Sequence, residues 1–144
     1  PENGVFHNLI LASIKPHYKG HASQIMHAFW GVGQMSFVKH AIFVDQNAPK
    51  LNDYENLTKY ILDRLDHKKI LISSGIIDAL DHSSPEELIG GKLGIDATGD
   101  KLNSSKIDIE DENLLSLMQK EIKNIINIKL YFKNTANPIV IIEI

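Results

Sequence analysis

The sequence predicts an α/β fold: a mainly parallel sheet with flanking helices, plus a C-terminal helix and β-hairpin extension. Three observations carry this. Short apolar runs, "VFHNLILASI", "AIFVD" and "KKILIS", alternate with stretches whose apolar residues recur at helical spacing. Strand, helix, strand, helix, strand in that order implies right-handed crossovers between parallel strands. From Asp108 onward the pattern changes to one more helix and then to strict two-residue alternation.

The elements follow in order. Val5–Ile14 is almost continuously apolar, as expected of a strand buried on both faces. "KPHYKG" breaks it. From His21, the residues Ile25, Ala28, Phe29 and Val32 form one stripe of a helix, which Gly31 and Gly33 end. Ala41–Asp45 is a short buried strand. After the loop "QNAPKLN", Asn52 and Glu55 have capping-box spacing, and Tyr54, Leu57, Ile61 and Leu65 mark a second helix. Lys68–Ser73 is the third strand. The stretch from Ile76 to Lys106 is rich in turn residues and reads as a long irregular segment, of the kind that is usually functional or interfacial. Asp108–Asn124 is a third helix, with Glu110, Asp111 and Glu112 in the first turn, where the helix dipole favours acids. In "INIKLYFK", Ile126, Ile128, Leu130 and Phe132 face one way, so this is a half-exposed strand. "NTANP" turns the chain, and Ile139–Ile144 returns as its hairpin partner.

The 144 residues suit one domain, and 43% hydrophobic with 23% charged residues is an ordinary globular balance. A net charge of −3 without a basic run argues against nucleic acid as a partner. The absence of cysteine excludes disulfides, thiolate catalysis and cysteine-based zinc sites. No apolar run reaches the length of a membrane span, and "PENGVFHN" is neither a signal peptide nor a basic targeting segment.

Several clusters invite chemistry, and most have a plainer reading. "GGKLGIDATGD" (Gly90–Asp100) looks like a phosphate cradle, but Leu93 stands where a Walker A loop has its hydroxyl. A structural glycine-rich loop is the better reading. "WGVGQM" has G-x-G without the third glycine and follows a helix, so it is a helix-ending turn open to close approach. Trp30 fits core, interface or ligand platform. His17 and His21 have metal-ligand spacing, but Pro16 and Gly20 argue against a helix there. His27 is expected to be a partly buried helix histidine. In "LDHSSP" the acid, imidazole and hydroxyls are too close in sequence for a triad, and Asp81 or Ser84 is expected to cap a helix starting at Pro85. The single arginine, Arg64, sits between Asp63 and Asp66 and reads as an exposed helix residue.

Five phrases then stand in fixed order: "FHNLILASI", "GHASQIMHAFWGVGQMSFVKHAIFVD", "LDRLDHKKILI", "LDHSSPEE" and "GGKLGIDAT". Together they resemble the C-terminal domain of the UbiD family of decarboxylases. The resemblance covers residues 5–100. Residues 101–144 are an extension, expected to pack on the same domain.

The resemblance implies a carboxy-lyase acting on an aromatic acid, such as a polyprenyl-hydroxybenzoate or naphthoate of ubiquinone or menaquinone biosynthesis. Its cofactors would be prenylated FMN with Mn²⁺ and K⁺, held in an N-terminal part of a longer chain. That part also carries the family's catalytic residues. No catalytic residue, metal ligand or tightly bound cofactor is therefore expected in this chain, and by itself it is expected to be inactive. The domain would form a cleft edge and a subunit interface, with a homo-oligomer as the expected assembly. A cytoplasmic location follows, with membrane association only through the substrate. The turn Gly31–Val32–Gly33 matches one that faces the cofactor's phosphate end, although Val32 stands where one branch has lysine. Lys39 matches a family position and would supply positive charge nearby; a solvated lysine before a strand is the alternative. Leu80 matches a position that lies near the substrate. Lys92 is expected to reach an acidic partner on the missing part or on another subunit. The competing reading is a stand-alone α/β assembly or binding module without catalysis.

Overall fold

The computed structural model describes residues 8–103 and 107–144. The first four strands form one sheet, ordered β1-β2-β4-β3: β1 (Leu9–Ile14), β2 (His40–Asp45), β3 (Ile70–Ile76) and β4 (Ile89–Ala97). β1, β2 and β4 run parallel, whereas β3 is antiparallel to β4. A mainly parallel sheet is thus present, but its third parallel member is β4, which the sequence reading placed in an irregular segment. Its glycines hid it, since glycine is a poor strand former. They are there for space. A Cβ on Gly94 would lie 2.4 Å from Met26 Sδ, and one on Gly90 would lie 2.8 Å from Ile77 Cγ2.

Helix α1 (His21–Trp30) covers one face of the sheet. Ala22, Met26, Val38, Ala41 and Phe43 form that core, with Ile25, Phe29 and Trp30 packed beside them. The buried stripe is therefore rotated from the expected one: Ala28 is exposed and Val32 lies beyond the helix. Gly31 caps the end as expected. Helix α2 (Tyr54–Leu62) covers the other face, where Val44, Leu57 and Ala97 are buried together. Asp53, not Asn52, caps it by accepting from the Asn56 N–H. β1 pairs with β2 alone, so it is a half-buried edge rather than a strand buried on both faces; Val5–His7 lie outside the described residues. A 3₁₀ turn at His67–Lys69 delays β3 to Ile70.

In the extension, α3 (Asp111–Met118) is shorter than expected at both ends. The hairpin of β5 (Asn127–Tyr131) and β6 (Ile139–Glu143) is as read, with Ile128 and Leu130 buried. Asn137 Nδ2 donates to the carbonyls of Leu62 and Leu65, and the Ala136 N–H donates to Asp63. These bonds tie the hairpin turn to the end of α2. No helix among the described residues is long and apolar enough to cross a membrane.

Candidate functional site

β4 is the strand on which the site is assembled. Its even residues point toward α1, so Lys92 enters the core side of the sheet and is 2% exposed. An ammonium has three N–H donors. Here they meet three backbone carbonyls: Ser36 at 2.6 Å, Val38 at 2.9 Å and Ile76 at 2.6 Å. One side chain therefore joins the segment before β2 to the end of β3. Burial pushes its pKa down, Lys39 pushes it further, and Asp81 opposes the shift. Lys92 does not reach toward another domain or subunit, as the sequence reading expected. It is used inside the chain.

The two segments that Lys92 joins carry the remaining groups. Lys39 Nζ lies 2.8 Å from Asp81 Oδ2 and donates to Ser83 Oγ at 2.7 Å. The Ser83 N–H and Oγ both donate to Asp81 Oδ1. The bonds from Lys39 and Ser83 hold the Asp81 carboxyl well below the usual carboxylate range. No helix starts at Pro85. Asp81 instead closes a turn with Ser83, while the Leu80 N–H donates to Asp78 and Ser84 Oγ to the Ile89 carbonyl. These bonds leave Leu80 at the loop tip, 84% exposed. Val32, in the turn after α1, is 64% exposed, and Gly33 has φ +46. Lys39, Leu80 and Asp81 thus gather at the amino-terminal edge of the parallel strands, and the 3₁₀ turn Gly33–Phe37 that leads into β2 brings the 31–33 turn toward it. Ile72, Ile76, Leu88 and Ile89 add exposed apolar surface there.

This edge does not have the make-up of a phosphate cradle. Among the described residues its accessible cation, Lys39, is paired with Asp81, and Lys92 is enclosed by carbonyls. Trp30 Nε1 is buried without a hydrogen-bond partner among the described residues. No group of three or more His, Cys, Asp or Glu among the described residues could hold a metal. His17 and His21 contact one another, with ring centroids 5.4 Å apart and the His17 N–H directed at His21 Nδ1.

The opposite, carboxyl edge holds a polar cleft of about 410 Å³ beside Lys15, Asp45, Tyr60, Arg64 and Gly99. Arg64 is not a solvated helix residue. Its guanidinium lies 3.6 Å over the Tyr60 ring and donates to the carbonyls of Gly99 and Tyr60. Asp45 accepts from the Tyr60 hydroxyl and the Gly99 N–H. Burial and the Asp45 bond raise the Tyr60 pKa. This network joins β2, α2 and the end of β4, and sequence spacing gave no sign of it.

Residues 1–97 match the family model described as the 3-octaprenyl-4-hydroxybenzoate carboxy-lyase C-terminal domain. The chain belongs to the UbiD C-terminal domain family. Two uncharacterized proteins from Helicobacter pylori strains are each 54% identical over all 144 residues, and the UbiD chain described here covers 23% of their length. An uncharacterized protein from Archaeoglobus fulgidus is 37% identical over 100 residues, covering 68% of this chain and 21% of the relative. Among solved structures, the UbiD-class enzyme HmfF from Pelotomaculum thermopropionicum, in complex with FMN, is 27% identical with a TM-score of 0.56. That match covers 72% of this chain and 22% of HmfF. Vanillic acid decarboxylase from Sedimentibacter hydroxybenzoicus, in an open form, shares the fold at 20% identity and a TM-score of 0.58, over 81% of this chain and 27% of its own.

Proposed function

We propose that this domain works as the closing wall of a decarboxylase active site, within a protein of UbiD type that uses prenylated FMN on an aromatic acid. The observation that carries the reading is the amino-terminal sheet edge of a chain in the UbiD family. That edge presents Leu80 and Val32 to solvent, on segments fastened through Lys92 and the Lys39–Asp81 pair. Decarboxylation leaves electron density that a bound flavin cofactor takes up. The residues here have a different task. An apolar wall excludes water from the cleft and orients the ring of the acid. The Lys39–Asp81–Ser83 cluster holds the loop that bears Leu80. Gly31, Val32 and Gly33 border the cofactor in this proposal, and Lys39 acts through the loop rather than by binding phosphate. A wall of this kind acts by closing over the cofactor once the acid is bound.

The acid itself is the finer part of the proposal. A polyprenyl-hydroxybenzoate is the substrate class named in the family description, and a naphthoate is the second aromatic acid in this proposal. The test is the full-length gene product loaded with prenylated FMN and offered 4-hydroxybenzoate, its prenylated derivatives and naphthoates. Release of CO₂, or proton exchange at the reacting carbon, is the readout. Leu80→Ala is expected to raise KM several-fold, and Leu80→Glu to lower kcat/KM by about tenfold or more, the scale of about 1.4 kcal/mol. Full activity in Leu80→Glu would remove the wall from the active site. No turnover of any aromatic acid by the loaded enzyme would overturn the activity.

A further inference from the structure

The family match ends at residue 97, and the hairpin lies beyond it. Among the described residues, β5 and β6 form a two-stranded sheet. Such a ribbon is marginal unless something covers it. Helix α3 packs on β5, whose Ile128 and Leu130 are buried. Among the described residues, β6 has no such cover. All five of its residues, Ile139 to Glu143, are exposed, and Ile141 at its centre is 56% exposed. Ile126, Ile122 and Ile144 extend the apolar surface around it. One edge of β6 is taken by β5, and among the described residues no strand pairs with the other. Edge strands usually guard this position with lysine, proline or a bulge. No lysine, proline or bulge lies within Ile139–Glu143; Pro138 precedes the strand, and Glu143, at its end, is its one charge.

We infer that β6 pairs edge to edge with β6 of a second copy, antiparallel and centred on Ile141, to give a continuous four-stranded sheet. The strand's own chemistry selects this occupant. About a two-fold axis at Ile141, Ile141 meets Ile141, Val140 meets Ile142, and Glu143 meets Ile139. Apolar side chains fall in register and no like charges are opposed. A parallel pairing would set Glu143 against Glu143. The other free edges fit less well: β3 carries Ser73, Ser74 and Gly75 at its middle, and β1 has Ser13. Two five-residue strands with flanking side chains make a small interface, so the dimer is expected to depend on concentration.

The chain has no cysteine, which makes a single introduced one specific. Ile141→Cys places two sulfurs across the axis, with Cα atoms about 4.5–5.5 Å apart, within disulfide reach. Ile139→Cys places its two copies four residues apart along the strands, about 13 Å, which is out of reach. Oxidation of the 144-residue chain and of the full-length gene product is expected to give a covalent dimer with Ile141→Cys and little with Ile139→Cys. Sedimentation equilibrium of the wild-type chain should show the mass rising above 16.2 kDa with concentration. Ile141→Glu keeps the hairpin, because Lys129 lies across from it on β5. It sets two carboxylates face to face in the dimer, so association should weaken by about tenfold or more. Mixing Ile141→Glu with Ile141→Lys should restore it. A wild-type mass that stays monomeric, equal crosslinking at both positions, or no rescue on mixing would each overturn the pairing. Crosslinking in the short chain but not in the full-length product would show that another part of the chain occupies β6, and would overturn it as well.

Discussion

Replacing Lys92 with methionine tests whether this side chain is the tie that the structure makes it. The substitution keeps much of the apolar stem and removes the three donors. The carbonyls of Ser36, Val38 and Ile76 then lose their partner in a site where Lys92 is 2% exposed. An unsatisfied buried acceptor costs about 1–3 kcal/mol, so the gross loss is about 3–9 kcal/mol. Against it stands the relief of no longer burying an ammonium, which is worth several kcal/mol. The carbonyls cannot be removed by mutation, so the loss should exceed the relief, with a net destabilisation of about 2–4 kcal/mol. Urea unfolding at neutral pH reads it directly. pH supplies a second arm with a definite sign. The folded pKa of Lys92 lies below its ordinary value of 10.5, because burial disfavours the charge. Below the folded pKa the penalty is fully present. Between the folded pKa and 10.5 the unfolded chain binds more protons, so the stability of wild type relative to Lys92→Met rises with pH and then levels off. Groups that do not interact with Lys92 are common to both proteins and cancel; Lys39 and Asp81, which do, are kept in both. A Lys92→Met chain as stable as wild type, or a difference that falls with pH, would refute the reasoning.

Two further outcomes follow from the same structure. Gly94→Ala would set a Cβ 2.4 Å from Met26 Sδ, whereas Gly91→Ala meets nothing within 4 Å. Thermal melts should therefore show Gly94→Ala destabilised by about 1–3 kcal/mol and Gly91→Ala changed little. Asp81, whose folded pKa is depressed below its ordinary 3.8, contributes stability above that value and loses it as pH falls toward the folded pKa. The melting temperature of wild type should accordingly drop more steeply below pH 4 than that of Asp81→Asn; parallel acid limbs would show that the Lys39–Asp81 pair does not order the loop.

Much of the fold was legible because local patterns coincide with burial. The alternation in "INIKLYFK" put Ile128 and Leu130 inside, and both are buried. The apolar run at Ala41–Asp45 is a central strand because both of its faces are covered by helices. The reading failed at "IGGKLGIDA". A strand whose inward positions are glycine and lysine carries no hydrophobic signal, although Leu93, Ile95 and Ala97 alternate on the other side. The same effect displaced the stripe of α1, since the small residue that is buried is Ala22 and not Ala28. Of the proposed site, the positions Gly31 to Gly33, Lys39 and Leu80 were named through family phrases, and their roles rest on the proposal above. The partners of Lys39 were not, because Asp81 and Ser83 lie far along the chain.

The sequence by itself determined the α/β class, the hairpin extension, the UbiD family and the lack of cysteine chemistry. Those follow from short-range spacing, composition and ordered phrases, which are properties of a line. Only the tertiary structure decided that the glycine-rich segment is an inner strand of the sheet, that Lys92 joins two distant segments, and that Arg64 stacks on Tyr60. These depend on how closely α1 can approach a strand without Cβ atoms, and on which carbonyls a buried ammonium meets. Such contacts pair residues tens of positions apart, and no local window of the chain contains both partners.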